Sequence, residues 1–363
     1  MTSISAADEF VLFIDRESAS ELPRTLSRSE VVEVATRFSP AQAASARGNR
    51  SPIDLYRMSR AVSRSRVDAF FFPTVYTWFP LPPGLPSVVT FHDAIAEKFP
   101  DIVVPGFRAR TLWGLPCWMA ISQATRILTV SEYARRDISR LHSIPFDLLA
   151  VAVEAPSDVY HPSTVEESRD AAESLGLDPG SGWFVYVGGM SPHKSVPQLV
   201  RAFARLAAEL RDPPFLILVG PGDDDVFHGD RARVEDEIRQ TGVAGLVKWA
   251  GYLPDESLRC IMSGAIALVL PSDCEGFGLP AVEAAACGTA VIATTESPLP
   301  ELLEGAGIFV DPSDEQGLYS ALALMLSDGE MRRRMGERGL ARAADMSWTR
   351  AARVTLDTIH SAA

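Results

Sequence analysis

Lysine is almost missing from the 363 residues. Only Lys98, Lys194 and Lys248 stand against 31 arginines. Arginine is a planar fork and lysine a compact point charge, so a place that keeps lysine in this chain draws notice. Cysteine is also sparse. Cys117, Cys260, Cys274 and Cys287 form no C-x-x-C pair, and no histidine stands at zinc-ligand spacing from them. That excludes a disulfide framework or a zinc module and points to reduced thiols in a cytoplasmic protein. No run reaches about 18 apolar residues, so no membrane span is expected. The opening Met1–Glu9 lacks the basic and apolar regions of a secretory signal. There is no basic surplus either. The formal net charge is -13, which argues against nucleic acid as a partner.

What is present is a large apolar content, 47%, enough for more than one core and too much for a disordered chain. The charge is unevenly placed. Residues 1–165 hold 17 basic and 17 acidic side chains, and the remainder holds 17 and 30. Short apolar runs alternate with helical patterns, and the rhythm occurs twice. The first set of strands reads at 10–14, 31–35, 68–72, 88–91, 126–130 and 148–153. The second reads at 183–187, 215–219, 247–249, 266–270 and 290–293. Strand–helix alternation implies parallel sheets covered on both faces. The expectation is an α/β chain of two doubly wound Rossmann-like domains: 1–165, 166–346, and a C-terminal helix 347–363 that packs back on the first. The boundary should fall in the polar stretch 162–179. Ligands of such sheets bind beyond the carboxyl ends of the strands.

Two segments carry chemistry. In Val185-Tyr-Val-Gly-Gly-Met-Ser-Pro-His-Lys194 a buried strand ends in Gly188 and Gly189, and a loop then places one lysine before a helix. Glycines let backbone approach an anion, and a helix N-terminus adds positive charge. By itself this turn suits either a diphosphate ligand or a solvated lysine. In Pro271-Ser-Asp-Cys-Glu-Gly-Phe-Gly-Leu-Pro-Ala-Val-Glu283, Gly276 and Gly278 flank Phe277, and Pro280 suits the first turn of a helix. Amides at Phe277 to Leu279 can then face an anion. Glu275 precedes the helix and Glu283 lies inside it. Eight residues of helix span about 12 Å, more than the gap between a glycosidase's two carboxyls. The two acids therefore suit separate hydroxyl pairs of one long ligand, or else purely structural roles.

The run Glu275 to Glu283 resembles the Glu, seven residues, Glu signature of retaining glycosyltransferase family 4. Gly220-Pro-Gly222, Gly251-Tyr-Leu-Pro-Asp255, Gly288-Thr-Ala-Val-Ile292 and Asp311-Pro312 are similar to that family too. So are His92-Asp93 and Thr129-Val-Ser-Glu-Tyr133 in the first half. The resemblance runs from about Phe10 to about Thr358. It implies a GT-B fold and hexose transfer from a nucleotide-diphosphate sugar to a hydroxyl of a polysaccharide, glycolipid or specialised metabolite, with retention and without a metal or other cofactor. Glu283 would bind the ribose and Glu275 the transferred sugar. Lys194 and the backbone of Gly276, Phe277, Gly278 and Leu279 would hold the diphosphate. Gly188, Gly189 and Leu253 complete the implied donor set, and His92 would reach the sugar or acceptor. Many members carry arginine where this chain has Gly189. The family also opens with a strand, a glycine-rich loop and a helix, whereas the first glycine here is Gly48. Phe10–Ile14 then looks like the family's second strand, which leads to the expectation that the opening strand is missing.

Other readings stay open on sequence. An epimerase or phosphorylase on the same fold, or a donor-binding relative without activity, would share these motifs. An NAD dehydrogenase fits less well, because the first βα turn lacks G-x-G-x-x-G. Tyr76, Trp78 and Phe79 suit an acceptor pocket or core packing equally. Arg47, Arg50, Arg57, Arg60, Arg64 and Arg66 suit a solvated helix face or an anionic partner, so peripheral membrane contact stays open. The oligomeric state is not legible.

Overall fold

The computed structural model describes residues 1–16, 18–22, 28–37, 51–178, 180–220 and 230–363. Gly48, Arg47, Arg50 and Pro221-Gly222 of the quoted motifs lie outside the described residues. The chain divides into two units, Met1–Val153 with Trp348–Ala363, and Glu154–Ser347.

In the first unit β1 (Phe10–Asp15) pairs in parallel with β2 (Ser29–Val34), Phe10 opposite Ser29. Between them the described residues hold one 3-10 turn, Ser18–Glu21. There follow α1 (Pro52–Arg64), β3 (Phe70–Phe72), β4 (Ser87–Thr90), α2 (Phe107–Gln123), β5 (Arg126–Thr129), α3 (Glu132–His142) and β6 (Leu149–Val151). Strands β3-β4-β5-β6 lie side by side in sequence order, all parallel. Local signals set the helix starts. The Ser51 side chain accepts from the Asp54 amide with Pro52 at the first position, and Ser131 accepts from the Ala134 amide.

Alternation along β4 sends neighbours to opposite faces. Val89 joins a core with Phe72, Phe91, Ile127 and Ile138, and Phe13 of β1 reaches the same core, its ring 5.7 Å from Phe70. Val88 and Leu128 meet the C-terminal helix Trp348–Ala362 through Ala362. Trp78 and Phe79 are buried in the first core, and Tyr76 is half-buried against Trp113, ring centroids 5.1 Å apart. That corrects the acceptor-pocket option for Trp78 and Phe79, because their ring faces are used up in packing. The arginine face of α1 is partly engaged as well. Arg57 donates to the Ala35 carbonyl at 2.7 Å, and Arg60 to the Tyr56 hydroxyl at 3.1 Å.

The second unit contains α4 (Val165–Ser174), β7 (Trp183–Val187), α5 (Val196–Ala208), β8 (Phe215–Val219), α6 (Arg231–Thr241), β9 (Val247–Gly251), α7 (Asp255–Ser263), β10 (Ala267–Leu270), α8 (Leu279–Ala286), β11 (Val291–Thr294), β12 (Gly307–Val310), α9 (Glu315–Ser327) and α10 (Gly329–Ala344). The sheet runs β9-β8-β7-β10-β11-β12, all parallel. The chain winds outward from β7 to β9, then returns to β10 on the other side of β7. Strands β7 and β10 thus flank the point where strand order reverses.

The units divide at Val153, earlier than residue 165. Residues after Val153 bond within the second unit: Tyr160 donates to Asp255 at 3.2 Å, and the Ser163 amide to the Ser263 hydroxyl at 3.1 Å. The polar stretch expected as a linker contains α4, closed by a capping box between Thr164 and Glu167. Among the described residues no helix is long and apolar enough to cross a membrane.

Helix α10 lies close on the end of α8, and Gly336 makes this approach possible. A Cβ there would sit 2.1 Å from the Gly288 carbonyl oxygen, a backbone atom that cannot swing aside. Gly336→Ala should therefore lower stability by about 1–3 kcal/mol, although alanine is the better helix former. Urea unfolding monitored by circular dichroism measures this. An unchanged or raised midpoint would contradict the close packing.

Candidate functional site

The turn after β7 is shaped by close backbone approach. The buried Tyr186 hydroxyl donates to the Gly189 carbonyl at 2.5 Å and fills the space under Gly188, where a Cβ would lie 2.9 Å from that oxygen. A Cβ on Gly220 would lie only 2.0 Å from the Gly188 carbonyl oxygen. Glycine at both places lets the turns after β7 and β8 touch. A 3-10 turn, Pro192–Lys194, follows, and Ser195 in the left-handed region (φ 50°) starts α5. This brings Lys194 back over the end of β10.

There the turn after β10 receives it. Lys194 Nζ lies 2.7 Å from Glu275 Oε1, and the buried Ser272 hydroxyl donates to the same oxygen at 2.6 Å. The two turns are stitched further. The Asp273 amide donates to the His193 carbonyl at 2.8 Å, and the Ser195 hydroxyl to Asp273 Oδ1 at 2.7 Å. The Glu275 amide donates to the Glu296 carbonyl at 3.1 Å, which fixes the acid from the β11 side. Phe277 is buried, and Gly278 takes the left-handed conformation (φ 88°) as the residue that starts α8. No side chain caps α8, and Pro280 has no amide hydrogen. The first amides of a helix find no acceptor inside it, so those at Gly278 and Leu279 are available to an anion.

The two acids differ in state. Burial pushes the Glu275 carboxyl up, but Lys194, the Ser272 hydroxyl and His193 outweigh burial and hold it below the ordinary range. Glu283 has no such partner among the described residues. Burial, then repulsion from Asp255 and Glu154, raises it to about 7. His193 is pushed down to about 4 by burial and by Lys194 beside it, so its imidazole is neutral at physiological pH.

The structure thus gathers Gly188, Gly189, Lys194, Glu275, Gly276, Phe277, Gly278 and Leu279 at the switch point. Glu283 follows on the fifth residue of α8. Leu253 lies apart on the turn after β9, a strand removed from β7 by β8, although Asp255 two residues on is felt by Glu283. His92 belongs to the other unit, at the carboxyl end of β4. Its neighbour Asp93 does not set its charge. Asp93 accepts from the Ile95 amide at 2.9 Å, and burial of His92 outweighs it, so the imidazole pKa is lowered. Four participants escape the sequence reading. These are Ser272, His193, Asp255 and Glu154. Ser272, His193 and Asp255 sit inside the quoted motifs, where a signal was present. Asp255 and Glu154 meet Glu283 only through folding.

A family model described as "Glycosyl transferases group 1" matches residues 167–342. The O-antigen chain mannosyltransferase B of Escherichia coli is 33% identical over 264 residues, 72% of this chain and 67% of that protein. The chain belongs to the group 1 glycosyl transferases. The D-inositol 3-phosphate glycosyltransferase of Nocardia farcinica is 32% identical over 250 residues, 67% of this chain and 54% of that protein. The chain therefore spans about half to two thirds of the curated relatives it matches. Among solved structures, Anabaena HepE in complex with UDP and glucose has a TM-score of 0.73 at 19% identity, covering 97% of this chain and 91% of that one. Sucrose-phosphate synthase from Thermosynechococcus elongatus has 0.72 at 20%, covering 96% and 86%. These likenesses establish the GT-B fold, two Rossmann-like units.

The state of Glu283 has a consequence for stability. Its folded pKa lies above the ordinary 4.5. Between that value and about 7 the folded form keeps a proton that the unfolded chain releases, so stability falls as pH rises through this window. Glu283→Gln should raise stability by about 1–3 kcal/mol near pH 8 and leave it unchanged near pH 4. Thermal melts at the two pH values decide it, and a variant less stable than the parent at pH 8 would refute the assignment.

Proposed function

We propose that this group 1 glycosyl transferase is a retaining enzyme of family 4 type. It moves a hexose from a nucleotide-diphosphate sugar to a hydroxyl of a glycan or glycolipid acceptor. The single observation that carries the donor reading is the Lys194–Glu275 pair at the switch point, beside the open amides that start α8. Supporting it, HepE is solved with UDP and glucose, and the E. coli relative is named as an O-antigen mannosyltransferase.

In this reading Lys194 and the amides at Phe277 to Leu279 meet the diphosphate. At about 4 Å and an effective dielectric near 20, one such charge pair is worth about 4 kcal/mol. Fixed positive groups of this kind act most where the leaving diphosphate gathers charge, and they make a metal unnecessary. Glu275, already ionised, accepts hydrogen bonds from sugar hydroxyls. Glu283 accepts two from the ribose diol, and Gly188, Gly189 and Leu253 contribute backbone. The acceptor oxygen forms its bond to the anomeric carbon on the face from which the diphosphate leaves. The old carbon–oxygen bond breaks toward phosphate, and the acceptor proton passes to the departing phosphate oxygen. Configuration is thereby retained. His92 is assigned to the sugar or acceptor by the family resemblance. The setting is the cytoplasm, in keeping with four cysteines that stand as thiols.

Three measurements test this. A nucleoside diphosphate should raise the melting midpoint, because a ligand of the folded state stabilises it. Lys194→Ala and Glu275→Ala should each lower turnover of a nucleotide hexose by about 10²–10³-fold. Unchanged turnover in both overturns the site. Donor affinity should also improve as pH rises toward 7, since the diol needs the Glu283 carboxylate, at most about tenfold per pH unit. Glu283→Gln should bind more weakly and lose this slope.

A further inference from the structure

Helix α2 faces solvent with the wrong chemistry for water. Its buried side carries Cys117 and Ala120, with Trp113, Met119 and Ile121 in the core. The other side is a stripe at helical spacing, Phe107, Thr111, Leu115, Trp118 and Ser122, with Arg108 and Leu112 beside it. Phe107 is 85% exposed, Leu112 74%, Trp118 64% and Leu115 53%. Four large apolar side chains on one helix are an exposed patch that calls for a partner.

The two hydroxyls of the stripe are already satisfied. The Thr111 hydroxyl donates to the Phe107 carbonyl at 2.9 Å, and the Ser122 hydroxyl to the Trp118 carbonyl at 2.8 Å. Neither needs water, and the exposed Trp118 indole N–H suits the headgroup level, where acceptors are at hand. Charge points the same way. In a chain of net charge -13, α2 holds two arginines and no acid. Arg110 pairs with Asp101. Arg108 pairs with no carboxylate among the described residues and stands beside the apolar stripe. A second copy docking here about a two-fold axis would bring the same surface onto itself and offer Arg108 no carboxylate from the facing α2.

We propose that the exposed face of α2 docks on an anionic membrane surface, with Phe107, Leu112, Leu115 and Trp118 in the interfacial layer and Arg108 against lipid phosphate. Aromatic and arginine side chains suit that layer, where one end is apolar and the other wet. This inference stands apart from the donor reading.

The test is co-sedimentation of the full chain with vesicles of phosphatidylcholine, with and without phosphatidylglycerol. The protein should bind the mixed vesicles more strongly, with a blue shift of tryptophan emission that Trp118→Phe removes. The double variant Leu112→Glu, Leu115→Glu should lower the bound fraction about tenfold or more, with an unchanged melting midpoint as the check on folding. Arg108→Glu, at the surface and safe for folding, should remove the preference for phosphatidylglycerol. The proposal is overturned if the parent protein binds neither vesicle, or if both variants bind as the parent does. It is equally overturned if the double variant abolishes a concentration-dependent dimer in sedimentation while vesicles stay unbound, since the occupant is then a second copy.

Discussion

The second unit is organised around one partly buried ion pair, Lys194 with Glu275. Taking two charges out of water is costly, and mutual attraction repays it only when the remaining hydrogen bonds are made. Here Ser272 supplies a further bond to the carboxylate, and the Asp273 and Glu275 amides tie the turns after β7, β10 and β11 together. The turns must therefore stay in register for the pair to survive. The backbone contacts that need glycine, Gly220 against Gly188 and Gly336 against Gly288, belong to the same constraint, since each allows main chains to meet where a side chain would hold them apart.

Seven residues separate Glu275 from Glu283, and the fold gives them opposite states. One faces a lysine and a hydroxyl and is held ionised. The other faces Asp255 and Glu154 and titrates near neutrality. Residue type is the same, so environment alone makes the difference. A site that keeps one carboxylate ready and the other poised is suited to a long ligand gripped at two places.

Much of the fold is legible in the order of residues. Strands β7 and β8 start and end where their apolar runs do, because a strand buried on both faces is apolar throughout. Strand β12, Gly307–Val310, is not foreseen. Helix α10 is not foreseen either. Its arginines and glycines mask the periodicity, and the glycines serve close packing on α8. The capping box at Thr164–Glu167 was readable and marks α4 inside a stretch whose polarity suggests a linker. Trp78 and Phe79 show the reverse limit. Their types fit a pocket as well as a core, and only neighbours such as Phe70 and Phe72 decide.

By itself the sequence determined the two strand–helix sets, the glycine turns and the identity of the charged groups, because periodicity and turn chemistry are local properties. Tertiary structure decided which charges meet. Lys194 and Glu275 are 81 positions apart, and Glu283 and Glu154 further still. The states of Glu275 and Glu283 follow from the neighbours that the order β9-β8-β7-β10-β11-β12 brings within reach. Tertiary structure also decided which face of α2 is left bare. Composition names its apolar residues, but packing alone determines which of them the core covers.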